Sequence, residues 1–174
     1  MTGVTRHCRC SGLEGWSHMP SGGRYTFEDY WNLPDGVHAE LVDGDLLYMA
    51  TPGLLHQEIV LGILRALMNH ADRLEGPRPE INMRVAVNLN GDESTWVEPD
   101  IVVVCDPVRL SERAVEGAPD LVIEVVSPQS VQTDYFIKPR LYHDAGVREY
   151  WIADPTSERT TIYQFREGDV NASP

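Results

Sequence analysis

Glu124 stands in the middle of Leu121-Val122-Ile123-Glu124-Val125-Val126, an apolar run that reads as a buried strand. A bare carboxylate there is costly, so the side chain must be neutral, paired or bound to a cation. Strand alternation puts Val122, Glu124 and Val126 on one face. Asp100 opens a second apolar strand, Ile101-Val102-Val103-Val104-Cys105. Alone, an acid at a strand entrance is an ordinary turn residue. Two acids at one level on adjacent buried strands would bring together the oxygen donors that hard cations such as Mg²⁺ require. Lys138 adds a third kind of chemistry. It is the single lysine of the chain, every other basic residue being arginine. Its ammonium is a compact charge whose proton affinity burial can tune, whereas a guanidinium stays charged. Asp134, Lys138 and Tyr142, spaced four apart, share one helix face.

Strands and a helix must bring these distant groups together. Thr26, followed by Glu28 and Asp29, caps a short helix running to about Leu33. VHAELV and DLLYMA are joined by Asp43-Gly44, a strong hairpin signal. A long helix starts at Thr51-Pro52, carries Leu55, Ile59, Ile63, Leu67, Ala71 and Leu74 at helical spacing, and ends at Gly76-Pro77. INMRVAVNL, TWVEPDIVVVC, DLVIEVV, REYWIAD and TTIYQF read as strands. IVVVC lacks polar alternation, so its strand is expected to be covered on both faces. A second helix falls within residues 130–145 and stops at Gly146. Helices alternating with buried strands predict an α/β fold, a mixed central β-sheet flanked by helices. Residues 1–23 carry five glycines and no periodicity, as a flexible tail would; residues 25–166 form the domain, and 167–174 a frayed end. His7, Cys8, Cys10 and His18 lack the paired cysteine spacing of a zinc site.

The chain has 174 residues and a net charge of −13. That balance argues against coating nucleic acid by bulk charge. It leaves room for a local groove neutralised by a metal. No apolar run reaches the ~20 residues of a membrane span. The first residues lack the apolar core of an export signal, and three cysteines form no obvious bridging set, so a cytoplasmic location is expected.

WVEPDIVVV, APDLVIEVVSP, D-x₃-K-x₃-Y and AGVREYWIADP, in that order and spacing, resemble the PD-(D/E)XK nuclease superfamily. More narrowly, they resemble the bacterial restriction endonuclease-like family described as a domain of unknown function. The resemblance covers about Tyr25 to Phe165. It implies a restriction endonuclease-like fold and hydrolysis of DNA phosphodiesters dependent on Mg²⁺ or Mn²⁺. It implies Asp100 as the acid of the PD motif and Glu124 as the acid of the (D/E)XK motif. The motif's lysine belongs two residues after that acid, where Val126 stands; the resemblance moves it to the following helix, onto Lys138. Glu40, in HAELVDGD, matches an early glutamate that assists the metal. His56 matches a histidine at the start of the long helix, with no role attached. A homodimer is also implied.

Pro139 directly follows Lys138, so the helix either begins late, near Lys138, or is kinked there. Val126 and Pro139 favour an alternative, a catalytically impaired member of this fold acting as a binding or assembly protein. A weaker alternative is a sugar hydrolase using the acid pair. Arg84, Arg140 and Arg148 are candidates to relieve repulsion of phosphate. The overall charge makes a small or single-stranded substrate easier to accept than a long duplex.

Overall fold

The computed structural model describes residues 24–166 and 169–173. The glycine-rich segment 1–23, with His7, Cys8, Cys10 and His18, lies outside the described residues. The first element among the described residues is α1, Phe27–Trp31, closed by a reciprocal cap between Thr26 and Asp29. The hairpin follows as expected: β1, Ala39–Val42, pairs antiparallel with β2, Asp45–Tyr48. Its two-residue turn has φ of 51° at Asp43 and 83° at Gly44, the doubly positive pattern that matches strand twist. A Cβ on Gly44 would stand 2.8 Å from Cβ of Arg24. Gly44→Ala is therefore expected to lower stability by roughly 1–3 kcal/mol, read from the urea midpoint.

The long helix, α2, spans Leu54–Ala71 and is capped by the extended Gly53, two residues later than Thr51-Pro52 would place it. Val60 is buried from its inner face, with Ile59, Ile63, Leu64 and Leu67 beside it. Among the described residues, no helix is long and apolar enough to cross a membrane.

The next two segments, each read as one strand, are both broken in two. INMRVAVNL yields β3, Glu80–Asn82, and β4, Ala86–Asn88. TWVEPDIVVVC yields β5, Trp96–Val97, and β6, Ile101–Val104. The halves belong to different sheets. β3 pairs with β6, and β4 pairs with β5. The two segments thus form one bent ribbon that leaves one sheet and enters another. The bends lie side by side: the Arg84 N–H donates to the Pro99 carbonyl at 3.1 Å.

β7, Ala114–Glu116, and β8, Leu121–Val125, come next. Helical backbone then begins at Val131 and widens into a π-turn over Thr133–Ile137. The regular helix α3 runs from Lys138 to Ala145 and ends on Gly146 at φ 89°. Pro139 falls in the first turn of α3, where its missing N–H is tolerated. The helical backbone runs on through Pro139, with the widened turn directly before it. β9, Glu149–Asp154, and β10, Arg159–Arg166, complete the predicted strands. A further strand, β11, Asp169–Ser173, pairs with β10 where the sequence predicts a frayed end. The open edge of β10 supplies backbone partners, which need no apolar pattern in the incoming strand.

The predicted mixed sheet has the order β11-β10-β9-β8-β6-β3. A second mixed sheet, β2-β1-β5-β4-β7, lies over it. Val102, Val104, Val122 and Ile152 of the first sheet meet Val87, Val97 and Val115 of the second, with Tyr142 and Tyr150. Ile101, Ile123 and Val125 point the other way, onto α2. β6 and β8 are covered on both faces, as the unbroken apolar runs predict. Glu124 is the one acid on the Val122 face of β8, between the sheets.

Candidate functional site

The antiparallel register of β6 and β8 sets Ile101 opposite Ile123, which brings Asp100 level with Glu124. Each acid grips the other's strand. The Asp100 N–H donates to Glu124 Oε2 at 3.3 Å, and the Val125 N–H donates to Asp100 Oδ2 at 2.8 Å. α3 then delivers Lys138, whose Nζ lies 2.6 Å from Glu124 Oε1 and 3.0 Å from Glu40 Oε1. Glu40 reaches this point from β1, in the other sheet. Asp134, on the π-turn one step before the lysine, stands 3.7 Å from Nζ. The Tyr142 hydroxyl donates to Glu124 Oε1 at 3.1 Å from the next turn of α3. His56, at the start of α2, places Nε2 3.1 Å from Asp100 Oδ2.

All five residues singled out in the sequence therefore meet in one place. Asp134 and Tyr142 join them through the four-residue spacing already visible there. Glu98 also belongs: its N–H donates to Glu40 Oε1 at 3.1 Å, and its carboxylate accepts from the Tyr30 hydroxyl at 2.7 Å. It was legible only as a letter of the EPD block. Of the three candidate arginines, Arg84 lines the same pocket of about 520 Å³. Arg140 and Arg148 do not; they are exposed and pair with Asp144 and Asp120.

The electrostatics are lopsided. Glu40, Asp100, Glu124 and Asp134 are each no more than 8% exposed. One ammonium and one imidazole face these four carboxyl groups. Even with both cations charged, full ionisation leaves two negative charges unbalanced. Burial drives the Glu124 carboxyl well above its ordinary range, against the pull of Lys138. Burial likewise raises Asp134. Burial opposes the charge on Lys138, but Glu124, Glu40 and Asp134 outweigh it and hold the ammonium well above its usual range. The hydrogen bond to Asp100 raises the His56 imidazole.

Among the described residues, no three acid, histidine or cysteine side chains stand as a ready-made ion cage. Mg²⁺ seldom asks for one, since it is usually held by one or two carboxylates with waters and substrate phosphate. The Asp100–Glu124 pair, within a cluster that holds more carboxyl groups than cations, fits that mode.

Comparison with known proteins bears on family and fold. The Uma2 family, described as "Putative restriction endonuclease", matches residues 27–173. A protein of Synechocystis described as uncharacterized is 26% identical over 152 residues, covering 84% of this chain and 78% of its own. A crystal structure from Anabaena variabilis, described as "a putative nuclease belonging to DUF820", superposes with a TM-score of 0.66 at 19% identity. It covers 84% of this chain and 83% of that one, a likeness of fold.

Proposed function

The chain belongs to the Uma2 family of restriction endonuclease-like proteins, and from that premise we propose that it is a metal-dependent nuclease that hydrolyses DNA phosphodiester bonds. The observation that carries this reading is the excess of buried carboxyl groups over cations around Glu124. Asp100 and Glu124, with Glu40, would hold one Mg²⁺ or Mn²⁺. Such an ion polarises a phosphoryl oxygen and lowers the pKa of the water it carries.

The chain's own groups have distinct duties in this scheme. His56 and the Val125 N–H fix Asp100 by the same oxygen. Tyr142 and the Asp100 N–H orient the two oxygens of Glu124. Lys138 supplies the positive charge that the phosphate requires as negative charge grows on its oxygens, and it orients the attacking water. The wall formed by the end of the hairpin, the Ser127–Ser130 turn and the Pro155 turn narrows the approach to the acids. A frayed or single-stranded substrate suits such a pocket better than an intact duplex.

The assembly-protein alternative rests on Val126 and Pro139. Nζ of Lys138, 2.6 Å from Glu124, answers the part that concerns Pro139. Calorimetry with Mn²⁺ tests the proposal. Binding is expected in the wild type, with release of protons as the raised carboxyl groups ionise, and none in an Asp100→Asn, Glu124→Gln double variant. Labelled DNA should be cut in Mg²⁺ and left intact in EDTA. Cutting in EDTA, or Mn²⁺ binding unaffected by the double variant, would refute it.

A further inference from the structure

The nuclease reading leaves one part of the reaction without a residue: nothing described so far grips the substrate backbone. Lys138 is an unsuitable hand for this. It is 4% exposed and already shared among Glu124, Glu40 and Asp134. Reaching toward solvent would strip it from three buried acids. The protein's net charge of −13 makes the need sharper, because a phosphate chain is repelled at long range and must be caught locally.

Among the described residues, Arg84 and Lys138 are the two lysine or arginine side chains on the pocket wall. The Arg84 side chain lines the pocket and is 26% exposed, so solvent reaches it. Its carboxylate neighbour, Glu98 Oε2, lies 3.8 Å away, beyond hydrogen-bond reach. Glu98 spends its other oxygen on the Tyr30 hydroxyl at 2.7 Å. The acid therefore steers the guanidinium without saturating its donors. A planar guanidinium with free donors is matched to two phosphate oxygens at once.

The backbone points the same way. Arg84 has φ of 49°, in the left-handed region that glycine or asparagine would occupy at lower cost. It sits at the bend of the ribbon, held by its N–H to Pro99, the residue before Asp100. A side chain kept at a strained position beside a reactive centre points to a use for that side chain.

We propose that Arg84 forms a phosphate-binding subsite that grips a backbone phosphodiester of the substrate strand next to the bond being cut. This rests on the nuclease reading of the same pocket, and its test separates the two. A fluorescent single-stranded DNA oligonucleotide is titrated into wild-type protein in Ca²⁺ across a range of salt, and steady-state cleavage is followed in Mg²⁺. Arg84→Gln is expected to weaken binding roughly tenfold or more, as loss of one charge-assisted contact does. It should raise KM more than it lowers kcat. The slope of log affinity against log salt should shrink by about 0.7, one single-strand phosphate contact. Arg84→Lys should restore the slope but only part of the affinity.

Arg84→Gly distinguishes grip from scaffold. It relieves the positive φ, so its urea midpoint should equal or exceed that of the wild type while DNA binding is lost. A lowered midpoint with unchanged salt slope would make Arg84 a structural residue and overturn the subsite. Unchanged KM and slope in Arg84→Gln, with wild-type cleavage still dependent on Glu124, would overturn the subsite and leave the nuclease standing. A wild type that neither binds nor cuts the oligonucleotide overturns both.

Discussion

Lys138→Met is expected to lose about 3–5 kcal/mol of folding stability in EDTA, the usual cost of removing one partner from a buried ion cluster. Methionine fills much the same volume, so packing is not the cause. The cause is that Glu40, Glu124 and Asp134 keep their places between the two sheets with no ammonium within reach. Mn²⁺ should restore part of the loss, because an ion bound only by the folded state stabilises it by about 2.7 kcal/mol at a hundred times its Kd. Cleavage should be abolished while Mn²⁺ binding persists. Urea unfolding with and without the ion reads the first two effects. A variant as stable as the wild type in EDTA would mean that the ammonium is not what holds these acids in place.

Glu124→Gln should have a functional cost larger than its structural one. Cleavage is expected to fall about 10³-fold, roughly 4 kcal/mol of transition-state stabilisation. Stability should fall by about 1–3 kcal/mol, because the amide nitrogen replaces the oxygen that accepts from the Asp100 N–H and leaves that buried donor unpaired. The amide avoids the burial cost that raises the wild-type carboxyl. Its carbonyl oxygen still accepts from Tyr142, and Lys138 keeps Glu40 at 3.0 Å. Single-turnover cleavage beside a urea midpoint checks both halves. A variant that unfolds readily yet cuts normally would place Glu124 in the scaffold and not in the chemistry.

The acid pair was legible because charge inside apolar runs contradicts its surroundings. Glu124 and Asp100 each interrupt or open a run with no other polar residue. Lys138, Asp134 and Tyr142 were legible from helical spacing. The two-sheet arrangement was not. INMRVAVNL and TWVEPDIVVVC read as continuous strands because apolar alternation reports burial and does not say which sheet buries a residue. Nothing in the letter at position 84 announces a left-handed backbone, since arginine, unlike glycine, gives no turn signal. Glu98 stayed hidden for the same reason: its role depends on a bend. β11 was missed because an edge strand is held by backbone pairing alone.

Lys138 comes to the acids from a helix and not from the strand that bears Glu124, whose corresponding position, Val126, is buried apolar core. β6 and β8 are inner strands, bonded on both sides. The lysine instead occupies the seam between the wide turn and α3. That seam lies inside one helical stretch from Val131 to Ala145, so the ammonium is carried by a helix and the oxygen ligands by inner strands, and the two halves of the centre are positioned by separate elements.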